Sequence, residues 1–132
     1  MKLVLDTNAY CLCDVGNETA LRLSENADSI FLPVTVYGEL FYGFKHGSKM
    51  TENLKRLDNF IEEYEVRIID TDVDVARKFG DIFASLRKKG KPIPTNDIWI
   101  AAACMSVGGV LLTADRHFEC IDQIQTEFLI DL

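Results

Sequence analysis

Short apolar segments alternate with amphipathic segments along this chain, and that alternation is the strongest constraint on its fold. We predict strands at Leu3–Leu5, Ile30–Leu32, Val66–Ile69, Val110–Thr113 and Phe128–Ile130. We predict helices between them at Asn17–Glu25, Val34–Phe44, Glu52–Tyr64, Asp72–Lys89 and Ile98–Met105. Strands that alternate with helices form βαβ units, so the pattern predicts an α/β fold with a mostly parallel sheet covered on both faces.

Four carboxylates stand in or against the most apolar parts of the sequence. Asp6 follows the first predicted strand, and Asp115 follows the fourth. Glu39 and Asp97 are each the single charged residue of a long uncharged stretch. Because open α/β sheets place their sites beyond the carboxyl ends of the strands, we expect Asp6 and Asp115 at one common edge.

An ionised carboxylate that is buried alone costs several kcal/mol, and these segments contain no lysine or arginine to neutralise it. Either each acid reaches solvent separately, or the four converge and share a cation. An all-carboxylate set favours a hard divalent ion, Mg²⁺ or Mn²⁺. The two histidines, His46 and His117, are distant along the chain and accompany no cysteine pattern, so no zinc site is predicted.

Each acid also has a competing structural interpretation. Asp6 would serve as a helix N-cap, Asp97 as a first-turn residue that interacts with the helix dipole, and Asp115 as a turn residue. Glu39 is harder to explain in this way, because it lies in the middle of a predicted helix. We favour convergence of all four. Asp72 also follows a strand, but it precedes an amphipathic helix, so capping explains it and we leave it out of the site.

Composition sets the class of protein. The 132 residues are long enough for a single domain, residues 1–132, and 48% of them are hydrophobic. No apolar run approaches the roughly 20 residues that span a bilayer, and the apolar start is too short for a secretion signal, so we expect a cytoplasmic protein without a membrane partner. The four cysteines are expected to be reduced and mostly buried thiols.

The net charge of −7 argues against nonspecific binding to duplex nucleic acid. It does not exclude a nucleic-acid substrate, because cations bound at a carboxylate cluster invert the local field. Basic residues are grouped, with Arg87, Lys88, Lys89 and Lys91 as one cluster that would flank such a substrate. The competing interpretation is a solvated helix end.

Four sequence blocks together resemble the PIN-domain family, and within it the VapC-type toxins of toxin–antitoxin pairs. The blocks are "LDTNAY", "VTVYGELFYGF", "PTNDIWIAA" and "LLTADRHF". They run in order over nearly the whole chain, and each contains one of the four acids. The resemblance implies a three-layer α/β/α sandwich with a central, mostly parallel sheet of four to five strands.

The resemblance also implies an activity and a set of site residues. It implies a Mg²⁺- or Mn²⁺-dependent endoribonuclease whose catalytic and metal-binding residues are Asp6, Glu39, Asp97 and Asp115. Asn8 and Thr113 match polar positions that steady the first and last acids or a metal-bound water. Glu119 is a further outer-shell candidate. The substrate would be single-stranded or looped RNA, cut by a metal-activated water to leave 5′-phosphate and 3′-hydroxyl ends.

The implied partners are a cognate antitoxin and a second copy of the chain in a homodimer. Four aromatic residues are candidates for a groove that takes an apolar segment of the antitoxin. These are Tyr37, Phe41, Tyr42 and Phe44. For any one of them, a place in the core is the simpler interpretation.

Two other functions remain open from the residues. A haloacid-dehalogenase-like phosphatase also begins with an Asp after its first strand, but that class needs a second acid two residues later, where this chain has Asn8. The other alternative is a non-catalytic domain that keeps the acids only to bind metal or a protein partner.

Overall fold

The structure, a computed structural model, describes residues 1–130 and contains a five-stranded sheet with helices around it. The strands are β1 (Lys2–Leu5), β2 (Ser29–Pro33), β3 (Arg67–Ile69), β4 (Val110–Thr113) and β5 (Gln125–Phe128). The α-helices are α1 (Thr7–Asp14), α2 (Glu18–Asn26), α3 (Val34–His46), α4 (Met50–Glu63), α5 (Val73–Lys89) and α6 (Thr95–Val107). A short 3₁₀ helix, Arg116–Cys120, follows β4.

All strand pairs are parallel, and the strand order is β3-β2-β1-β4-β5. The central strand β1 is buried on both faces, since Leu3, Val4 and Leu5 are fully inaccessible to solvent. Chain order therefore runs outward from β1 to β3 and then returns to β4 on the other side of β1. The carboxyl ends of β1 and β4 form the topological switch point, where α/β sheets bind ligands.

Helix α6 forms much of the interior, because six of its residues are buried, among them Ile98 and Cys104. The helix ends at Gly108, which has φ of 64°, a left-handed conformation that favours glycine. A side chain at Gly109 would lie 2.7 Å from Val4 Cγ2, so the start of β4 needs a glycine to approach β1.

The predicted fold class is confirmed, and the sheet is parallel throughout the described residues. Two predictions about elements were wrong. Helix α1 was not predicted, although Asp6 was considered as a helix N-cap, because residues 7–14 lack a clear apolar period. Strand β5 was placed at 128–130 instead of Gln125–Phe128, because its alternating, half-exposed pattern at the sheet edge resembles a loop.

The remaining composition-based predictions have mixed outcomes. No helix within residues 1–130 has the length and apolar character needed to cross a membrane. All four cysteines are free thiols. Cys13 and Cys104 are buried, Cys120 is half-buried and Cys11 is exposed, so the expectation of mostly buried thiols holds for two of them.

Candidate active site

Asp6 lies directly after β1 and is 4% exposed. Its Oδ1 accepts a hydrogen bond from the backbone N–H of Ala9 at 2.8 Å, which makes Asp6 the N-cap of α1. Its Oδ2 accepts a hydrogen bond from the Thr113 hydroxyl. Both carboxylate oxygens are therefore held, and the side chain has a fixed place at the edge of the sheet.

Thr113 connects the acid that follows β1 with the acid that follows β4. Its hydroxyl donates to Asp6 and accepts from the backbone N–H of Asp115 at 2.9 Å. The residue is fully buried as the last residue of β4. A single side chain thus fixes the positions of Asp6 and Asp115 relative to each other.

Asp97 and Asp115 converge on the imidazole of His117. The Nδ1 atom of His117 is 3.1 Å from Asp115 Oδ1 and 3.4 Å from Asp97 Oδ2. One ligand atom from each of these three residues lies within 4.8 Å of the other two. Asp97 is in the first turn of α6, and Asp115 caps the 3₁₀ helix that carries His117.

Glu39 reaches the same region from α3. Its Oε2 accepts a hydrogen bond from Thr7 Oγ1 at 2.9 Å, and its Oε1 accepts one from Asn96 Nδ2. Asn96 directly precedes Asp97, and Thr7 directly follows Asp6. Glu39 therefore ties α3 to the segments that carry two of the other acids, with both of its oxygens engaged by neutral donors.

The structure places the remaining candidates differently. Asn8 is exposed on α1, and its side chain makes no hydrogen bond to residues 1–130. Glu119 is exposed and pairs with Arg116 at 2.8 Å, so it is not directed at the acids. His117 was not predicted, nor were Thr7 and Asn96 as partners of Glu39. The "TADRHF" block contained the signal for His117, two residues after Asp115.

Burial and neighbouring negative charges raise the pKa values of two acids, Asp6 and Asp97. Burial raises the pKa of Asp6 to about 6, the hydrogen bonds from Thr113 and Ala9 oppose this, and the charges of Asp115 and Asp97 add to it. Burial also raises the pKa of Asp97, with a smaller contribution from Asp115, while His117 acts in the opposite direction. Both acids therefore resist ionisation in the metal-free protein.

A divalent cation fits this donor set. Within residues 1–130, Asp6, Asp97, Asp115 and Glu39 form no salt bridge with lysine or arginine. A cation between Asp97 and Asp115 would neutralise the charges that raise the pKa of Asp6 and Asp97.

Capping and convergence were treated as competing interpretations. The structure shows the capping directly, and it brings ligand atoms of Asp97 and Asp115 together with His117, whereas Asp6 and Glu39 are not part of that group and contact it through Thr113 and Asn96. A site shared by all four acids stays a prediction. Asp6 and Asp115 are N-caps of a helix and of a 3₁₀ helix, and Asp97 lies in a first turn. Parallel strands followed by helices bring helix N-termini to one sheet edge, and because β1 and β4 are adjacent, the caps that follow these two strands are neighbours. Asp72 caps α5 through a 2.9 Å bond to the N–H of Val75, as predicted.

Comparison with known proteins identifies the family. The family model described as "PIN domain" matches residues 3–124. The chain belongs to the PIN-domain family. The resemblance inferred from the four sequence blocks is therefore confirmed.

Curated relatives of this PIN domain are named as VapC nucleases. The chain is 32% identical to Ribonuclease VapC2 of Haemophilus influenzae, over 96% of this chain and 97% of the relative. It is 32% identical to the tRNA(fMet)-specific endonuclease VapC of Salmonella typhimurium, with the same coverage. The chain is therefore a VapC-type PIN domain.

Solved structures of this group match the whole PIN domain. A structure of VapBC2 from Rickettsia felis bound to a DNA fragment from its promoter has a TM-score of 0.86 at 26% identity. DNA-bound VapBC from Salmonella typhimurium has a TM-score of 0.85 at 29% identity. Both comparisons cover 97% of this chain and 98% of the other.

Proposed function

We propose that this PIN domain is a metal-dependent endoribonuclease and the toxin of a toxin–antitoxin pair. The observation that carries the proposal is the pair Asp97 and Asp115 beside the buried Asp6, at the switch point of the sheet and without a neutralising lysine or arginine in residues 1–130. Asp6, Glu39, Asp97 and Asp115 hold a Mg²⁺ or Mn²⁺ ion. When bound, the cation supplies positive charge to the scissile phosphate and lowers the pKa of a water.

The chain's own side chains do the positioning. Thr113 holds the carboxylate of Asp6 and the backbone of Asp115 in one frame. Thr7 and Asn96 orient Glu39 toward the same edge. The first turn of α6 presents Asp97, and the N-terminal dipole of that helix favours negative charge there, which suits both the carboxylate and a phosphate. Asn8, exposed at the rim, contacts substrate or water.

The substrate is RNA with an accessible backbone, and the partner is a small antitoxin. Two curated relatives, from Shigella flexneri and Salmonella typhimurium, are named tRNA(fMet)-specific endonucleases, so initiator tRNA is the first defined substrate to test. Two solved relatives are VapBC complexes, which supports an antitoxin partner for this chain. The homodimer and a cytoplasmic location complete the proposal.

The test is cleavage of total cellular RNA and of initiator tRNA by purified protein with Mg²⁺, Mn²⁺ or EDTA, with mapping of the cut ends. We expect metal-dependent cleavage that leaves 5′-phosphates. Asp97→Asn should lower the cleavage rate by at least about a hundredfold, because it removes one of the paired carboxylates. Asp81→Asn is the matched control, since Asp81 is an exposed acid on α5.

Four outcomes would contradict the proposal. Cleavage in EDTA would exclude the metal, and full activity of the Asp97 variant would remove that residue from the mechanism. Metal binding without RNA cleavage by the free protein would support the non-catalytic alternative. Hydrolysis of p-nitrophenyl phosphate would instead indicate a phosphatase.

A further inference from the structure

His117 is the one residue of the acid cluster that the proposed carboxylate mechanism does not use. Its ring is next to two acids, and in residues 1–130 these acids are its polar contacts. Exposed histidines on a loop are usually free to turn, so a fixed place beside two carboxylates needs an explanation.

The backbone of His117 is held beside Asp115. The N–H of His117 donates to Asp115 Oδ1 at 2.9 Å, and the next residue, Phe118, is 1% exposed and anchors the 3₁₀ helix in the core. The backbone of His117 therefore stays beside Asp115, and this keeps the imidazole within reach of both acids.

The spacing of the donor atoms is that of a coordination sphere. Two ligand atoms that occupy neighbouring corners of an octahedron, each about 2.1 Å from the ion, are about 3 Å apart. The Nδ1 atom of His117 is 3.1 Å from Asp115 Oδ1 and 3.4 Å from Asp97 Oδ2. Nδ1 of His117 thus lies at about ligand spacing from both acids, and the ligand atoms of Asp97 and Asp115 lie within 4.8 Å of each other, so the three side chains can reach one ion together.

We propose that Nδ1 of His117 is a direct ligand of the cation held by Asp97 and Asp115, and that it tunes this site toward Mn²⁺ over Mg²⁺. The inference rests on the proposed metal-dependent function and names the ligand set and metal preference of that site. Magnesium prefers oxygen ligands and retains water, whereas imidazole nitrogen suits transition metals. A neutral ring that carries its proton on Nε2 offers the Nδ1 lone pair to the ion.

The test measures metal binding rather than cleavage. Pulsed electron paramagnetic resonance of the Mn²⁺-loaded protein should show hyperfine coupling to ¹⁴N, and ¹⁵N-histidine labelling should change that coupling. Calorimetry should show that His117→Ala weakens Mn²⁺ binding by about tenfold or more and weakens Mg²⁺ binding by a smaller factor. His117→Asn places an oxygen close to the position of Nδ1, so it should restore Mg²⁺ binding without the Mn²⁺ preference.

His46→Ala is the matched control. His46 is exposed at the end of α3, where its Nε2 lies 2.9 Å from the Tyr42 hydroxyl, and it should leave the coupling and both affinities unchanged. Because the His117 side chain is 55% exposed, its replacement should leave the fold intact, which unfolding in urea checks.

The outcomes separate this inference from the proposed function. Mn²⁺ binding without nitrogen coupling, together with metal-dependent RNA cleavage, would overturn the role of His117 and leave the nuclease in place. An equal loss of Mg²⁺ and Mn²⁺ affinity in His117→Ala would also overturn the tuning. If neither ion bound the wild-type protein, both the ligand assignment and the proposed function would fail.

Discussion

Replacement of Asp6 by asparagine should stabilise the metal-free protein at neutral pH. The pKa of Asp6 is about 6 in the folded protein, compared with 3.8 for an ordinary aspartate. Below pH 3.8 the carboxyl is protonated in both states and carries no penalty. Between these two values the unfolded chain ionises first, so stability falls as pH rises, and above pH 6 the full penalty of about 3 kcal/mol is present.

Asparagine removes this charge and keeps the N-cap, since its side-chain oxygen still accepts from the N–H of Ala9. It loses the second acceptor for the Thr113 hydroxyl, at a pH-independent cost of about 1 kcal/mol. The stability of Asp6→Asn relative to wild type should therefore rise by about 2 kcal/mol between pH 4 and pH 7.5. Removal of a buried charge, and with it the weaker repulsion from Asp115 and Asp97, thus stabilises the protein while it weakens metal binding.

The assay is urea unfolding in EDTA at a series of pH values, followed by the fluorescence of Trp99. Trp99 is the single tryptophan, and its ring stacks on Phe79 with centroids 3.9 Å apart. The m-value of unfolding in urea is about 2 kcal/mol per molar for a domain of this size. The difference between the urea midpoints of Asp6→Asn and wild type should therefore be about 1 M larger at pH 7.5 than at pH 4. Asp72→Asn, an exposed cap of α5, is the control and should show no such change. A constant difference between wild type and Asp6→Asn across the range would refute the reasoning.

Two further predictions concern the frame of the site and its surroundings. Thr113→Val should lower the free energy of unfolding by about 2 kcal/mol, because Asp6 Oδ2 and the N–H of Asp115 lose their partner, whereas Thr113→Ser should lose far less. Equal urea midpoints for the two variants would contradict that role. The double variant Arg87→Glu, Lys91→Glu reverses two exposed charges, one in the last turn of α5 and one just after it. It should lower kcat/KM for RNA several-fold at low salt and less at high salt. Lys49→Glu with Lys55→Glu on and beside α4 is the control, and an unchanged rate in the first pair would reject the basic cluster as a substrate contact.

The acids of the site were predictable because each contradicts its surroundings. A charge at the end of a buried strand, as at Asp6, or within an apolar helix, as at Glu39, is costly enough to require a reason. Neutral polar residues give no such signal. Thr7, Asn96 and His117 look like ordinary loop and cap residues, and their roles follow from three-dimensional neighbours that no spacing rule identifies.

The buried elements of the fold were predictable from sequence, whereas a half-exposed edge strand and a short helix were not. Strand β1 is buried on both faces, so its residues are uniformly apolar and conspicuous. Strand β5 lies at the sheet edge, where Gln125 and Glu127 face solvent. Because these residues are polar, the sequence did not indicate a strand at residues 125–127. Helix α1 has eight residues and little apolar period, and it depends on the Asp6 cap and on packing of Ala9, Tyr10 and Cys13. Tertiary contacts that are absent from the local sequence therefore decide both elements.

The hydroxyl that joins Asp6 to the neighbouring strand β4 belongs to Thr113, which is 107 positions later in the chain. During synthesis, β1 is translated before β4, its neighbour on one side. The two strands therefore cannot pair until residues 110–113 have been translated. A truncated polypeptide that stops before Asp97 would contain only two of the four proposed site acids, Asp6 and Glu39. Interrupted translation would then yield fragments without nuclease activity, and RNA cleavage would begin only with a chain that extends past Asp115.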